Sequence, residues 1–239
     1  MKRHARRTSR GLGGALLGAA GLAALSYAGY ASAAWARYGR RPRRQPPDPL
    51  LDRFIPDYDV DERHELRVSA PADVTFLSAR DLDLTRSAIV RAIFAGRSLL
   101  MGAGPAKEQS PTPLTEKALA LGWGILAEVP GRKVVFGAVA KPWNADVVFE
   151  SVPPDGFATF DRPGYAKIVW TLEADPLGTD SSIARTQTRV ITTDRVSRER
   201  FRRYWAAVSP GVRLIRRQML RVLRARAERM WHAGKVHQT

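Results

Sequence analysis

Residues 200–223 read RFRRYWAAVSPGVRLIRRQMLRVL. Arginine is frequent here, yet Phe201, Trp205, Val208, Val212, Ile215, Met219 and Val222 recur at alternating intervals of four and three. On a helix that spacing makes one continuous apolar stripe. Arg202, Arg203, Arg213, Arg217, Arg221 and Arg224 fall on the opposite side. Burying the seven apolar side chains at ~1.5–3 kcal/mol each would contribute on the order of 10–20 kcal/mol before chain entropy is counted. Guanidinium groups lose little by facing water. Apolar burial therefore decides where the helix docks, with its arginines outside. Ser209-Pro210 can cap and start a helix. Because the stripe keeps its phase across Pro210, one kinked helix or two nearly collinear ones are expected.

The surface for that stripe to cover lies upstream. HELRVSA at 64–70 alternates as a half-buried strand. Pro71 then opens a short helix, and TRSAIVRAIFAGRSLL at 85–100 reads as a second. MGAGPAKEQSPTP is a Gly/Pro-rich loop, and LTEKALALG a short helix ending at Gly122. From Trp123 the period changes to two. WGILAEV and KVVFGAVA flank a Pro-Gly turn, and NADVVFE supplies a third strand. KIVWTLEA and SIARTQTRVIT form a hairpin across DPLGTDS. Within it Ile168, Trp170, Leu172 and Ala174 share one face with Ala184, Thr186, Thr188 and Val190 of the partner strand. Arg185, Gln187 and Arg189 take the other face and are expected to meet water.

Charge divides the chain. The net charge is +16, but residues 1–44 and 195–239 are strongly basic and the middle is mildly acidic. The terminal basic ridge has three readings, in this order: a solvated face, contact with anionic lipid, and nucleic acid. Nucleic acid is not expected as a partner, since exposed aromatics for base stacking and a zinc or winged-helix signature are missing from the sequence.

Residues 1–10 form a basic tail, and no charge occurs from 11 to 36. Those 26 residues would make a helix of about 39 Å, enough for a hydrocarbon core of roughly 30 Å. Tyr27, Tyr30, Trp35 and Tyr38 gather toward its far end, as amphipathic rings do at a membrane interface. A retained single-pass transmembrane anchor is expected at 11–36, with a cleaved signal segment ending near Ala31-Ser32-Ala33 as the alternative; a third reading, a buried soluble helix, must explain arginine clusters at both ends and no polar face. Location in a membrane, the bacterial cytoplasmic membrane, follows as an expectation. The flanking arginines balance, so the side on which the domain lies stays open. Residues 37–60 read as an Arg/Pro-rich spacer, although Leu50, Leu51, Phe54 and Ile55 could fold back on the domain. The domain itself is placed at 61–232, followed by a tail at 233–239.

Chemistry is sparse. The chain has no cysteine, and its four histidines lack the helical pairing of a zinc site. Nucleophile-elbow, Walker and dinucleotide motifs are missing from the sequence. No catalytic residue, metal site or cofactor is assigned. The acids Asp57, Asp59, Asp61 and Glu62 read as a solvated cluster rather than a calcium loop. His64 is a general base only if its face turns into a cavity.

The order strand, two short helices, antiparallel strands and long terminal helix resembles the helix-grip fold of the SRPBCC superfamily, which includes START, Bet v 1-like and polyketide cyclase-like proteins. TQTRVITTDRVSRERFRRYWAAVSPGVRLIRRQML at 186–220 and ERHELRVSAPADVTF at 62–76 carry the resemblance. It implies an α+β domain in which a curved antiparallel sheet wraps the terminal helix, with a cavity between them for a hydrophobic small molecule or lipid. Phe136, Trp143, Trp170, Leu172, Thr186 and Thr188 of the sheet, with Trp205, Val208, Ile215 and Met219 of the helix, would line it. The same residue types also build ordinary cores. Three readings follow: a membrane-tethered binding domain without catalysis, a cyclase- or hydrolase-type enzyme using polar groups in the cavity, and a membrane-surface adaptor with a filled core.

Overall fold

The computed structural model describes residues 21–39 apart from 23, 47–83 and 112–236. Helix α1 (24–37) is followed by one turn of helix, α2 (Pro49–Asp52), and strand β1 (Val60–Val68). Then come α3 (Ala72–Arg80), α4 (Leu114–Ala120), β2 (Gly124–Val129), β3 (Lys133–Ala140) and a two-residue strand, β4 (Phe149–Glu150). One turn, α5 (Pro154–Phe157), precedes β5 (Ala166–Pro176), β6 (Ser182–Thr192) and the long helix α6 (Arg195–Val236). The helix expected at 85–100 and the loop after it lie outside the described residues.

The strands form one antiparallel sheet in the order β1-β6-β5-β3-β2, with β4 beside β3. Its centre is the β5–β6 hairpin, in which Trp170 stands opposite Thr188 and Ile168 opposite Val190. That register puts the alternating residues on the two faces read from the sequence. NADVVFE contributes only β4 rather than a full strand. Gly122 ends α4 with φ +95°, and a Cβ there would lie 2.1 Å from the Phe149 carbonyl oxygen, so no other residue fits this turn.

α6 runs unbroken for 42 residues, with Pro210 inside it. Asp194 starts it, its carboxylate accepting from the Ser197 N–H at 2.8 Å and the Ser197 hydroxyl at 2.6 Å. These bonds and one from the Gly164 N–H hold the Asp194 carboxyl well below the usual carboxylate range. The fold is thus α+β, with a long terminal helix laid over an antiparallel sheet in the helix-grip arrangement.

One face of the sheet meets α6 and α3. Phe136, Trp170 and Leu172 pack there with Phe76, Met219, Leu220, Leu223 and Ala227. Toward the start of α6, Phe201 and Trp205 pack with Val60, Ile168 and Val190. The inner side of α6 is not quite the stripe read from the sequence. At about 100° per residue, Phe201, Trp205, Ser209, Met219, Leu220, Leu223 and Ala227 span an arc of about 100°, and all are buried. A strict alternation of fours and threes drifts from a straight helix by about 20° per heptad. Val222 therefore gives way to Leu223 as the inward residue, and Ile215 leaves the centre of the face. The residue near that centre is Arg216.

The opposite face of the sheet is covered as well, by the fold-back that the apolar residues of the spacer allowed and against the expectation that this face is wet. Residues 47–59 are not an extended spacer. Leu51, Phe54 and Ile55 are buried against Leu126, Val135, Phe157 and Val169. Nor do Gln187 and Arg189 meet water, and Arg185 is largely covered. The Arg189 side chain is 3% exposed, and its Nη1 lies 2.6 Å from Asp52 and 3.2 Å from the Ile55 carbonyl. Its Nε lies 3.2 Å from Asp61, whose side chain is fully buried. Gln187 donates to the same Asp61 carboxylate at 2.9 and 3.0 Å. Arg185 sits among Glu65, Glu173 and Asp175. Of the acids read as one solvated cluster, Asp57 is exposed, whereas Asp59 pairs with Arg198, Asp61 with Arg189 and Glu62 with Arg213.

α1 begins in the open and ends docked. Leu22 and Leu25 are 68% and 72% exposed. Tyr27 then donates to the Ala207 carbonyl. Arg202 donates to the Trp35 carbonyl at 3.1 Å and lies 4.1 Å over the Trp35 ring, while Arg213 covers Tyr30. Tyr38 packs against Phe201, and the Gly39 N–H reaches the Asp59 carbonyl. The aromatic cluster expected at a membrane interface is thus spent, at least in part, on arginines of α6. Arg203, Arg217, Arg221 and Arg224 are exposed, as a solvated ridge requires. Among the described residues no helix is long and apolar enough to cross a membrane. Residues 11–20 of the expected span lie outside them.

Candidate functional site

The site lies where the middle of α6 crosses β1, β6 and β5. Antiparallel register places His64 of β1 opposite Thr186 of β6, and Glu62 opposite Thr188. Trp170 of β5 is opposite that same Thr188 on its other side and opposite Phe136 of β3. Alternation turns these six side chains toward the helix. Phe136 and Trp170 stack at 4.5 Å and 17°, and Trp123 meets Trp170 edge-on at 6.1 Å. The floor is therefore aromatic toward β3 and polar toward β1.

α6 supplies the roof. Arg216 holds its guanidinium 5.2 Å over the Trp170 ring and donates from Nη2 to the Thr188 hydroxyl at 3.2 Å. Among the described residues no carboxylate lies within ion-pair distance of Arg216. Burial pushes its pKa down to about 10, which still leaves it charged at neutral pH. The residue nonetheless keeps accessible surface. The charged head is thus buried while the residue as a whole keeps some surface, the pattern of a side chain at a narrow helix–sheet seam rather than in a sealed apolar core. One turn earlier, Arg213 is held by Glu62 through its Nε at 2.9 and 3.0 Å and through Nη2.

His64 completes the polar wall. Burial, and then the nearby Arg216, Arg213 and Arg217, lower its pKa to about 4. The imidazole is neutral at pH 7. Its Nε2 lies 3.7 Å from Glu62 and forms no hydrogen bond among the described residues. The hydroxyls of Thr186 and Ser209 are likewise buried without a partner among the described residues. Buried polar atoms are nearly always bonded to something. Three unspent groups on one helix–sheet seam, beside a cation with no counter-charge, leave a set of donors and acceptors for a group that the described residues do not provide.

The residues named from the sequence divide among three places. Phe136, Trp170, Leu172, Thr186, Thr188 and Met219 surround or underlie the crevice. Trp205 is buried in the neighbouring cluster with Phe201 and Ile168. Trp143 and Val208 instead line an open groove of about 310 Å³ with Arg200, Arg203, Tyr204 and Ala207, on the side of α6 where α1 docks. Ile215 belongs to none of the three, because the helical phase turns it aside. Arg216, Ser209 and Glu62 were not singled out as site residues. The signal for Arg216 was present: it follows Val212 by four and precedes Met219 by three, a spacing that an apolar pattern search passes over in an arginine.

Among the described residues no group of three His, Asp or Glu side chains could hold a metal ion. No protein-family model matches the chain. No curated protein matches it. Similar solved structures include the di-domain aromatase/cyclase BexL, at 12% identity over 71% of this chain with a TM-score of 0.33. The chain spans 46% of the length of BexL. A hypothetical protein from Helicobacter pylori is 12% identical over 78% of this chain and 96% of its own, with a TM-score of 0.35. Norcoclaurine synthase from Thalictrum flavum is 14% identical over 74% of this chain and 96% of its own, with a TM-score of 0.26.

Proposed function

We propose that this chain is a membrane-tethered helix-grip domain of the SRPBCC type that binds a hydrophobic small molecule or lipid between its sheet and α6. The observation that supports the reading is the buried Arg216 over Trp170, on an aromatic floor and beside polar atoms that have no partner among the described residues. Pockets of that make-up hold ligands by apolar burial and orient them through a few polar groups.

Binding without catalysis fits best. Among the described residues His64 is the one imidazole at the seam, and a base with a pKa near 4 is weak at neutral pH. It makes no hydrogen bond to Thr186, so a nucleophile paired with a base is missing among the described residues. One observation favours the enzyme reading instead: Glu62, His64, Arg213 and Arg216 do converge on one place. A filled-core adaptor would leave the buried Arg216 and its neighbours without purpose.

The tether is narrower than the charge-free run. Docking from Tyr27 onward leaves residues 11–26 to insert. Sixteen residues would make a helix of about 24 Å, short of a hydrocarbon core of roughly 30 Å. Snorkelling of Arg10 and local thinning make up such a difference at modest cost. The exposed Leu22 and Leu25 support the insertion, and the domain then sits directly on the membrane surface.

Native mass spectrometry of the full chain released from lipid nanodiscs tests the binding reading. The expected spectrum carries an adduct of a few hundred daltons that survives removal of bulk lipid. A protein that always appears at its bare mass, whatever the lipid supplied, would overturn it.

A further inference from the structure

The charge balance of the crevice specifies what part of a ligand it takes. Glu62 and Arg213 neutralise one another through a two-pronged contact. His64 is neutral at pH 7, and Thr186, Thr188 and Ser209 are neutral hydroxyls. Arg217 points to solvent. One positive charge, that of Arg216, therefore stands in the interior without a counter-charge among the described residues. A buried unpaired cation costs several kcal/mol. Guanidinium has five donors in a planar fork, and Thr188 accepts from one nitrogen, Nη2. The face of Trp170 holds the plane in place. What remains is a fork with free edges, flanked by groups that donate or accept. Its natural complement is a planar or tetrahedral oxyanion bearing one negative charge. A doubly charged head would leave one charge unmatched beside Glu62. The apolar body of the same molecule would lie on Trp170, Phe136 and Trp123.

Resting on the binding reading above, we propose that Arg216 receives the singly charged acidic head of an amphiphile, with the Thr186 hydroxyl and His64 completing its hydrogen bonds and the aromatic floor taking its apolar body. The ligand class is thus a monoanionic amphiphile, such as a long-chain or aromatic carboxylic acid. A neutral hydrocarbon or sterol lacks the complementary charge.

Two fluorescent probes with one skeleton separate this proposal from the reading beneath it. 8-Anilinonaphthalene-1-sulfonate carries one negative charge, and N-phenyl-1-naphthylamine carries none. The full chain in nanodiscs is titrated with each, with empty nanodiscs as the blank. The wild-type protein is expected to bind both, and decanoate to displace the sulfonate better than decanol does. Arg216→Met keeps the aliphatic stem and removes the charge. It is expected to weaken sulfonate binding about 10–100-fold, the scale of a charge-assisted hydrogen-bonded contact, while the neutral probe changes by less than about threefold. Its melting temperature should be unchanged or raised, because an unpaired buried charge has been removed. If Arg216→Met weakens both probes equally, or neither, or if decanol competes as well as decanoate, the charge assignment fails while the hydrophobic crevice stands. If the wild-type chain binds neither probe, the binding reading itself fails.

Discussion

Arg189→Ala is expected to destabilise the protein by ~3–5 kcal/mol, the range for removing one partner of a buried ion pair. The guanidinium reaches Asp61, Asp52 and the Ile55 carbonyl, and lies 4.8 Å over the Tyr58 ring. It joins β6, β1 and the segment that covers the sheet. Alanine deprives the buried Asp61 of this counter-charge and cuts the tie to residues 52–58. Urea denaturation followed by circular dichroism reads the loss as a lower midpoint. Arg189→Met combined with Asp61→Asn removes both charges and should recover much of it, since uncharged replacements of buried pairs are often well tolerated. A single substitution that costs under about 0.5 kcal/mol would return Arg189 to the surface role its place on the strand first implied.

Leu51→Ala is the second large effect, at ~2–5 kcal/mol for a leucine removed from a packed core. Leu51 has no exposed surface. It lies under Phe54 and Ile55, against Val135 and Val169 of the sheet. Asp48 anchors the turn from both sides, capping the Leu51 N–H at 3.2 Å and pairing with Lys133. Leu177→Ala, at a position 50% exposed, is the internal control and should stay within about 0.5 kcal/mol. Equal effects at the two positions would mean that residues 48–55 are a passive spacer.

These two sites also mark where sequence reasoning stops. Alternation along β6 correctly separated Thr186 and Thr188 from Gln187 and Arg189. It could not say that both faces would be covered, because a charged face is ordinarily a wet one. The cover comes from a Pro-rich stretch whose composition reads as a spacer, and its few apolar residues become decisive only when a sheet lies beneath them. The strands on either side of the Pro-Gly turn, the β5–β6 hairpin and the docking of α6 through Phe201, Trp205 and Met219 were legible, since each is a periodic apolar pattern. Ile215 was misread because a repeat of 3.5 was laid on a helix of 3.6. That small difference brings Arg216 inward, and the site depends on it. Trp143 was placed by its residue type alone, and no periodicity constrained it.

The central claim is that α6 and the sheet enclose a reachable, ligand-binding crevice at Thr188 and Arg216. The chain has no cysteine, so a single introduced thiol reports alone. Thr188→Cys places that thiol on the crevice floor, and Arg217→Cys, one residue beyond the roof, places it in solvent. With methyl methanethiosulfonate, Thr188→Cys should react at least tenfold more slowly than Arg217→Cys yet go to completion, and saturating N-phenyl-1-naphthylamine should slow the first and leave the second unchanged. Equal rates for the two thiols, or a Thr188→Cys rate indifferent to the probe, would contradict the account.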